Sequence, residues 1–228
     1  MPAVSDLCCD ADLRAQIAAR LAAFEVRGIR EHAQHHAAVA VAIAEEGTGA
    51  DLDGLPRPAG WSERAALILT RRAAHLRSHA GQWALPGGRI DEGETPEIAA
   101  LRELAEEVGL ALGPDAVLGR LDDYSTRSGF VITPVVVWGG AARALLPNPG
   151  EVASIHRIPA QEFLRADAPL LDAGDPLRAD APPVLRMPVG NSWIAAPTAA
   201  VLYQFRELCL LGRATRVAHF DQPRFAWN

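Results

Sequence analysis

Residues 88–110 read GRIDEGETPEIAALRELAEEVGL. Thr95 suits a helix N-cap, Pro96 the first helical position and Gly109 the residue just past the end, so the spacing predicts a helix over 95–108. With Leu101 set to zero and roughly 100° per residue, Leu104, Ala105 and Val108 fall within about 60° of it. Glu103, Glu106 and Glu107 fall on the other side, inside an arc of about 100°. One face packs and the other presents carboxylates. Like charges at i, i+3 and i+4 repel. A solvated face tolerates that cost, and a hard divalent cation such as Mg²⁺ or Mn²⁺ would cancel it. On the helix alone both readings stand. Arg102 lies four residues before Glu106 and can pair with it. Glu94 sits just ahead of the helix and can reach back toward the same face. Gly87 and Gly88 let the backbone approach a metal or phosphate, Gly93 permits the turn into the helix, and the helix N-terminus adds a modest positive dipole.

The full spacing is more specific than the helix. Gly88, Glu94, Arg102, Glu103, Leu104, Glu106, Glu107, Gly109 and Leu110 resemble, without departure, the Nudix box Gly-x5-Glu-x7-Arg-Glu-apolar-x-Glu-Glu-x-Gly-apolar. The resemblance implies an α+β Nudix fold, an α/β/α sandwich around a mixed β-sheet. It implies a hydrolase of phosphoanhydride bonds that uses Mg²⁺ or Mn²⁺. Glu103, Glu106 and Glu107 would be metal ligands and catalytic groups, with Glu94 and Gly88 in support of the metal and Arg102 ordering the carboxylates.

Upstream, residues 68–88 read ILTRRAAHLRSHAGQWALPGG. They resemble the signature of the coenzyme A pyrophosphatase branch, Leu-Leu-Thr-x-Arg-Ser/Ala-x3-Arg-x3-Gly-x3-Phe-Pro-Gly-Gly. Leu69, Thr70, Arg72, Ala73, Arg77, Gly81, Pro86, Gly87 and Gly88 match in register, while Ile68 and Leu85 stand where the signature has Leu and Phe. Residues 118–136 and 151–164 continue the likeness. The resemblance implies cleavage of coenzyme A or its acyl derivatives to 3′,5′-ADP and (acyl-)4′-phosphopantetheine. Arg72, Arg77, His79 and Gly88 are the expected substrate-binding residues, the cations through charge-assisted bonds to phosphate. The competing reading pairs both arginines with loop carboxylates. Tyr124 and Phe130 can stack on adenine or pack in the core. Glu151 is a candidate general base beside Glu107. Two alternatives stand next to this one: a hydrolase of another nucleoside diphosphate derivative such as ADP-ribose or NADH, and a regulatory domain without turnover.

The 228 residues are 49% hydrophobic and 22% charged, a globular balance. The net charge of -6 argues against a broad nucleic-acid footprint. A small-molecule partner is expected, with neither nucleic acid nor membrane, and the resemblance allows a homodimer. No apolar run reaches the ~20 residues of a membrane span, and Asp6, Asp10 and Asp12 are unlike a signal or transit peptide, so a cytoplasmic location is expected. Cys8, Cys9 and Cys209 form no disulfide framework, and Cys209 reads as a small core residue.

Three regions are expected: a helical extension over 1–34, the Nudix domain over 35–211 and a tail over 212–228. Around the box the pattern predicts a helix at 10–27 and strands at 37–45, 65–71, 115–122, 130–138 and 151–158. A short helix follows at 159–164, then a surface loop at 165–183, a hairpin at 184–195 turning at Gly190-Asn191, and a helix at 197–211.

Overall fold

The structure, a computed structural model, describes residues 7–29, 35–76, 79–172 and 182–223. Helix α1 (Ala11–Ala22) comes first, followed by strands β1 (His35–Gly47), β2 (Ser62–Arg72), β3 (Trp83–Ala84) and β4 (Gly87–Arg89). Helix α2 (Pro96–Val108) leads to β5 (Val117–Arg120), β6 (Tyr124–Ser125), β7 (Phe130–Gly140) and β8 (Val152–Pro159). Strands β9 (Leu170–Asp172), β10 (Val184–Val189) and β11 (Ser192–Ala195) precede helix α3 (Thr198–Phe205).

The main sheet runs β3-β2-β1-β7-β5, with β4 added to β1, β6 to β7 and β8 to β2. It is mixed: β1 pairs parallel with β7 and antiparallel with β2 and β4. Alternation along β1 explains the layering. Ala38, Ala40, Ala42 and Ala44 face α2, where Ala100, Leu104 and Val108 pack on them. Small side chains there bring the helix close to the sheet. Val41 and Ile43 face the other way, toward α1, α3 and the second sheet β9-β10-β11. Helices therefore cover both faces, the expected sandwich.

The expected N-terminal extension shares this core. Leu13, Ile17 and Leu21 of α1 are buried, each contributing about 1.5–3 kcal/mol. Residues ahead of the helix also bond β2, through Ala65 N–H to the Leu7 carbonyl at 2.6 Å and Cys9 N–H to the Glu63 carbonyl at 2.8 Å. Cys209 is buried, as read from its pattern.

Several boundaries differ from the sequence reading. The first helix stops at Ala22. A single 3-10 turn at Pro114–Ala116 precedes β5, and residues Ala160–Leu164 are 3-10 rather than α. The stretch expected as surface loop contains β9, which pairs with β10, while 173–181 lie outside the described residues. The last helix passes into a π-turn at Arg206–Leu210. The 184–195 hairpin forms with its turn at Gly190-Asn191. That turn is held from two sides: Glu162 Oε1 accepts from Gly190 N–H at 2.8 Å, and the Asp53 carbonyl accepts from Asn191 N–H at 3.1 Å.

Candidate active site

Helix α2 begins and ends where its caps place it. Thr95 Oγ1 accepts from Ile98 N–H at 3.4 Å, and Gly109 closes the helix at φ 71°. Its acidic side differs from the amphipathic reading. Glu106 faces solvent, with its side chain 55% exposed, but Glu107 is buried at 5%. Strand β4 lies along that flank, and Gly87 N–H donates to Glu107 Oε2 at 3.2 Å. The helix is covered on two sides.

The two glycines of β4 make this contact sterically feasible. A Cβ on Gly87 would lie 2.4 Å from the Ala38 carbonyl oxygen of β1. The same atom on Gly88 would lie 2.3 Å from Glu103 Oε1. Glu103 therefore rests directly on the strand.

Glu151 completes the group. It sits on the β7–β8 connection, which is pinned at both ends of its approach. Asn148 N–H donates to the Glu107 carbonyl at 2.9 Å, and Ala73 N–H to the Glu151 carbonyl at 2.8 Å. One carboxylate oxygen each from Glu103, Glu107 and Glu151 then lies within 4.8 Å of the others. Burial, and then the charges of Glu103 and Glu151, push the Glu107 carboxyl up to about 7 against the Gly87 hydrogen bond and Arg72. Glu103 is raised as well, first by burial and opposed by its bond to Arg102. Such repulsion inside a partly buried cluster is what a hard cation relieves.

Glu94 and Glu106 stand outside this trio and are tied to it through Arg102. The guanidinium grips Glu94 with two bonds, Nε to Oε1 at 2.9 Å and Nη2 to Oε2 at 3.0 Å. It also reaches Glu103 at 2.8 Å, Glu106 at 3.3 Å and the Arg89 carbonyl at 3.0 Å. The Arg102 bond, and then the Asp91 N–H, hold the Glu94 carboxyl down to about 2. The expected Arg102–Glu106 pair exists, but Glu94 is the principal partner.

Beside the cluster is a cavity of about 740 Å³, lined by Arg72, His79, Gly87, Gly88 and Phe130 among others but by none of the three glutamates; Gly87 and Gly88 stand between the acids and this space. Arg72 has a buried Nε without a hydrogen-bond partner, and its charge acts on both Glu107 and His79. Among the described residues it forms no ion pair with a loop carboxylate, and its charge stands beside the acids. His79 takes a left-handed φ of 56°, and burial followed by Arg72 lowers its pKa. Arg77 lies outside the described residues. Phe130 lines the cavity, whereas Tyr124 belongs to the core and its hydroxyl donates to the Phe220 carbonyl at 2.9 Å.

Sequence reasoning missed two parts of the cavity. One wall comes from the β10–β11 hairpin and the start of α3. Another comes from Gln222, in the region expected to be a tail. Gln222 accepts from Arg127 N–H at 3.3 Å and donates to the Ser125 carbonyl at 3.3 Å, while Arg127 pairs with Asp221 at 2.9 and 2.8 Å. No local pattern announces contacts between segments so distant in the chain. Among the described residues no helix is long and apolar enough to cross a membrane.

A family model described as NUDIX domain matches residues 61–177. The uncharacterized Nudix hydrolase NudL of Photorhabdus laumondii is 44% identical over 102 residues, 44% of this chain and 54% of that protein. The protein of the same name from Yersinia pestis (strain Pestoides F) is 45% identical over 102 residues, 43% of this chain and 50% of its own length. The match therefore spans about half the length of these curated relatives. Among solved structures, RenU, a Nudix hydrolase from M. smegmatis, is 26% identical over 60% of this chain and 77% of its own, with a TM-score of 0.39. The MutT protein of Methanosarcina mazei Go1 is 19% identical over 62% of this chain and 84% of its own, with a TM-score of 0.42. At these TM-scores the weight lies with the sequence matches.

Proposed function

The chain belongs to the NUDIX domain family, and on that premise we propose that it is a divalent-metal-dependent pyrophosphatase cleaving coenzyme A or its acyl derivatives. The observation that carries the hydrolase reading is the meeting of Glu103, Glu107 and Glu151 beside the unpartnered Nε of Arg72. The coenzyme A reading adds the in-register likeness of residues 68–88.

The donor set fits a hard cation: all three groups are carboxylates, and Gly88 leaves room for Glu103. Glu103, Glu107 and Glu151 would hold Mg²⁺ or Mn²⁺, with Glu106 joining from the solvent side. The chemistry supplied by such an ion is neutralisation of phosphate charge and acidification of an attacking water. The remaining work falls to the chain. Arg72 donates to the diphosphate oxygens and stabilises the charge that grows on them. Arg102 fixes Glu94 and Glu103, so that the ligands are aligned before substrate arrives. A carboxylate oxygen of Glu151, the exposed member of the trio, takes the proton of the water. The water oxygen bonds to phosphorus, the P–O–P bridge breaks, and the bridging oxygen leaves on the other phosphate. The products are 3′,5′-ADP and (acyl-)4′-phosphopantetheine.

One observation favours a second reading. Leu85, buried on the cavity wall, replaces the Phe of the coenzyme A signature, which suits another nucleoside diphosphate derivative such as ADP-ribose or NADH. A panel of coenzyme A, acetyl-coenzyme A, ADP-ribose and NADH with Mg²⁺ or Mn²⁺ separates the two. Turnover of coenzyme A above the others is expected. Fast turnover of ADP-ribose with coenzyme A untouched rejects the substrate, and no turnover of any rejects the enzyme in favour of a regulatory domain.

A further inference from the structure

The acidic cluster accounts for Arg72 but not for the arginine before it. Neighbouring side chains on a strand point to opposite faces. At the end of β2, Arg72 lies beside Glu107, whose ionisation it favours. Arg71 takes the other face. Its guanidinium carbon is 3.8 Å from the ring centre of Trp83, and Nη1 donates to the Gly81 carbonyl at 3.1 Å. Burial alone lowers its pKa, and no described carboxylate balances its charge. Trp83 is itself held edge-on by His156, with ring centres 4.9 Å apart, and its buried Nε1 has no acceptor among the described residues.

Arg71 and Trp83 form a shared wall. On one side is the large cavity, and on the other a cleft of about 240 Å³ closed by Asp53, Asn191 and Ser192. Asp53 lies too far from Arg71 for an ion pair. A partly desolvated cation without a counter-charge costs free energy that an anion would recover. The carboxylate cluster and Arg72 already provide for a diphosphate, which fills only part of a cavity of about 740 Å³. Arg71 also occupies the variable position of the coenzyme A signature, so the likeness to that branch assigns it nothing.

We propose that Arg71, stacked on Trp83, binds a phosphate monoester that the substrate carries apart from its diphosphate, and so selects substrates with this extra group. The inference rests on the diphosphatase reading for the word substrate, but its test does not require turnover. Adenosine 3′,5′-bisphosphate and AMP are titrated by calorimetry into the full chain and its Arg71→Met and Arg71→Lys variants, each checked by thermal unfolding. The unaltered chain is expected to prefer the bisphosphate by about 10-fold or more, the size of a charge-assisted contact. Arg71→Met should bring that ratio near one with AMP affinity unchanged, and Arg71→Lys should keep part of it. Equal loss for both ligands, an unchanged ratio in Arg71→Met, or no preference in the unaltered chain overturns the proposal. Inorganic phosphate saturating the site while the bisphosphate gains nothing over AMP also overturns it, because the site would then take free phosphate. KM for coenzyme A against dephospho-coenzyme A is measured alongside. If coenzyme A is not cleaved, the substrate reading fails while the binding ratio still decides Arg71.

Discussion

A Cβ on Gly88 would lie 2.3 Å from Oε1 of Glu103, whereas one on Gly87 would lie 2.4 Å from the backbone carbonyl of Ala38. The two adjacent glycines thus guard different things. A carboxylate tip can swing aside, but a strand backbone cannot do so cheaply.

Gly88→Ala is therefore expected to fold with little change in Tm and to lose about 100-fold in kcat/KM, the scale of an ångström-sized misplacement. Gly87→Ala should cost about 1–3 kcal/mol of stability by overpacking β1 against β4. Denaturant unfolding alongside kinetics checks both. Equal effects of the two substitutions on Tm would contradict this division.

Replacing the acids by amides tests the ligand set. Glu103→Gln and Glu107→Gln should each lower the rate at least ~100-fold while the fold survives, because the metal-borne charge stabilisation is lost. Glu106→Gln is expected to act similarly despite its exposure, since the Nudix-box likeness includes it. Mg²⁺ or Mn²⁺ should raise Tm in the unaltered chain and barely move it in Glu103→Gln or Glu107→Gln. Chelation should abolish activity. A near-normal rate for any one variant removes that residue from the set.

Arg102→Lys keeps the charge but loses the fork that grips Glu94 at 2.9 and 3.0 Å. The metal concentration for half-maximal activity should rise ~10-fold, the effect of an outer-shell partner on affinity. A change confined to KM for the organic substrate would instead assign Arg102 to substrate contact.

His156 supplies a pH dependence away from the acids. Its Nδ1–H donates to the Ala50 carbonyl at 2.8 Å and Nε2 meets Ser154 Oγ at 2.7 Å. Burial first, then the charge of Arg71, lower its pKa, against the pull of the Ala50 bond. The unfolded chain therefore takes up this proton more readily than the folded one. The stability this provides is complete above the ordinary histidine value of about 6.5 and is lost as pH falls through the folded value. Tm should drop on acidification, and less steeply in His156→Gln. Parallel Tm curves for the two proteins would show that His156 does not titrate with folding.

Much of the site was legible because it is local. Thr95, Pro96 and Gly109 fix the ends of α2, and the box spacing brings Glu103, Glu106 and Glu107 onto one helix. The burial of Glu107 was not legible, because helix periodicity allows for one packed side and β4 supplies a second. Glu151 was legible only through likeness, since its nearness to Glu107 depends on a loop pinned by Asn148. Arg71 gave no signal, because what distinguishes it from Arg72 is the face of a sheet it leaves and the charge it lacks opposite. Trp83, Gln222 and the β10–β11 hairpin reach the cavity through tertiary contacts that leave no periodic trace.

The bonds of Gln222 to Arg127 and Ser125 join positions 95 and 97 residues apart. At ordinary rates of translation, that interval takes roughly 5–20 s. Throughout it a nascent chain carries its acidic helix while the cleft beside it still lacks a side. Glu151 is made within that interval, so the acidic trio is complete in the chain before the wall that Gln222 contributes, and the cavity closes last on the side that ribosomes deliver last.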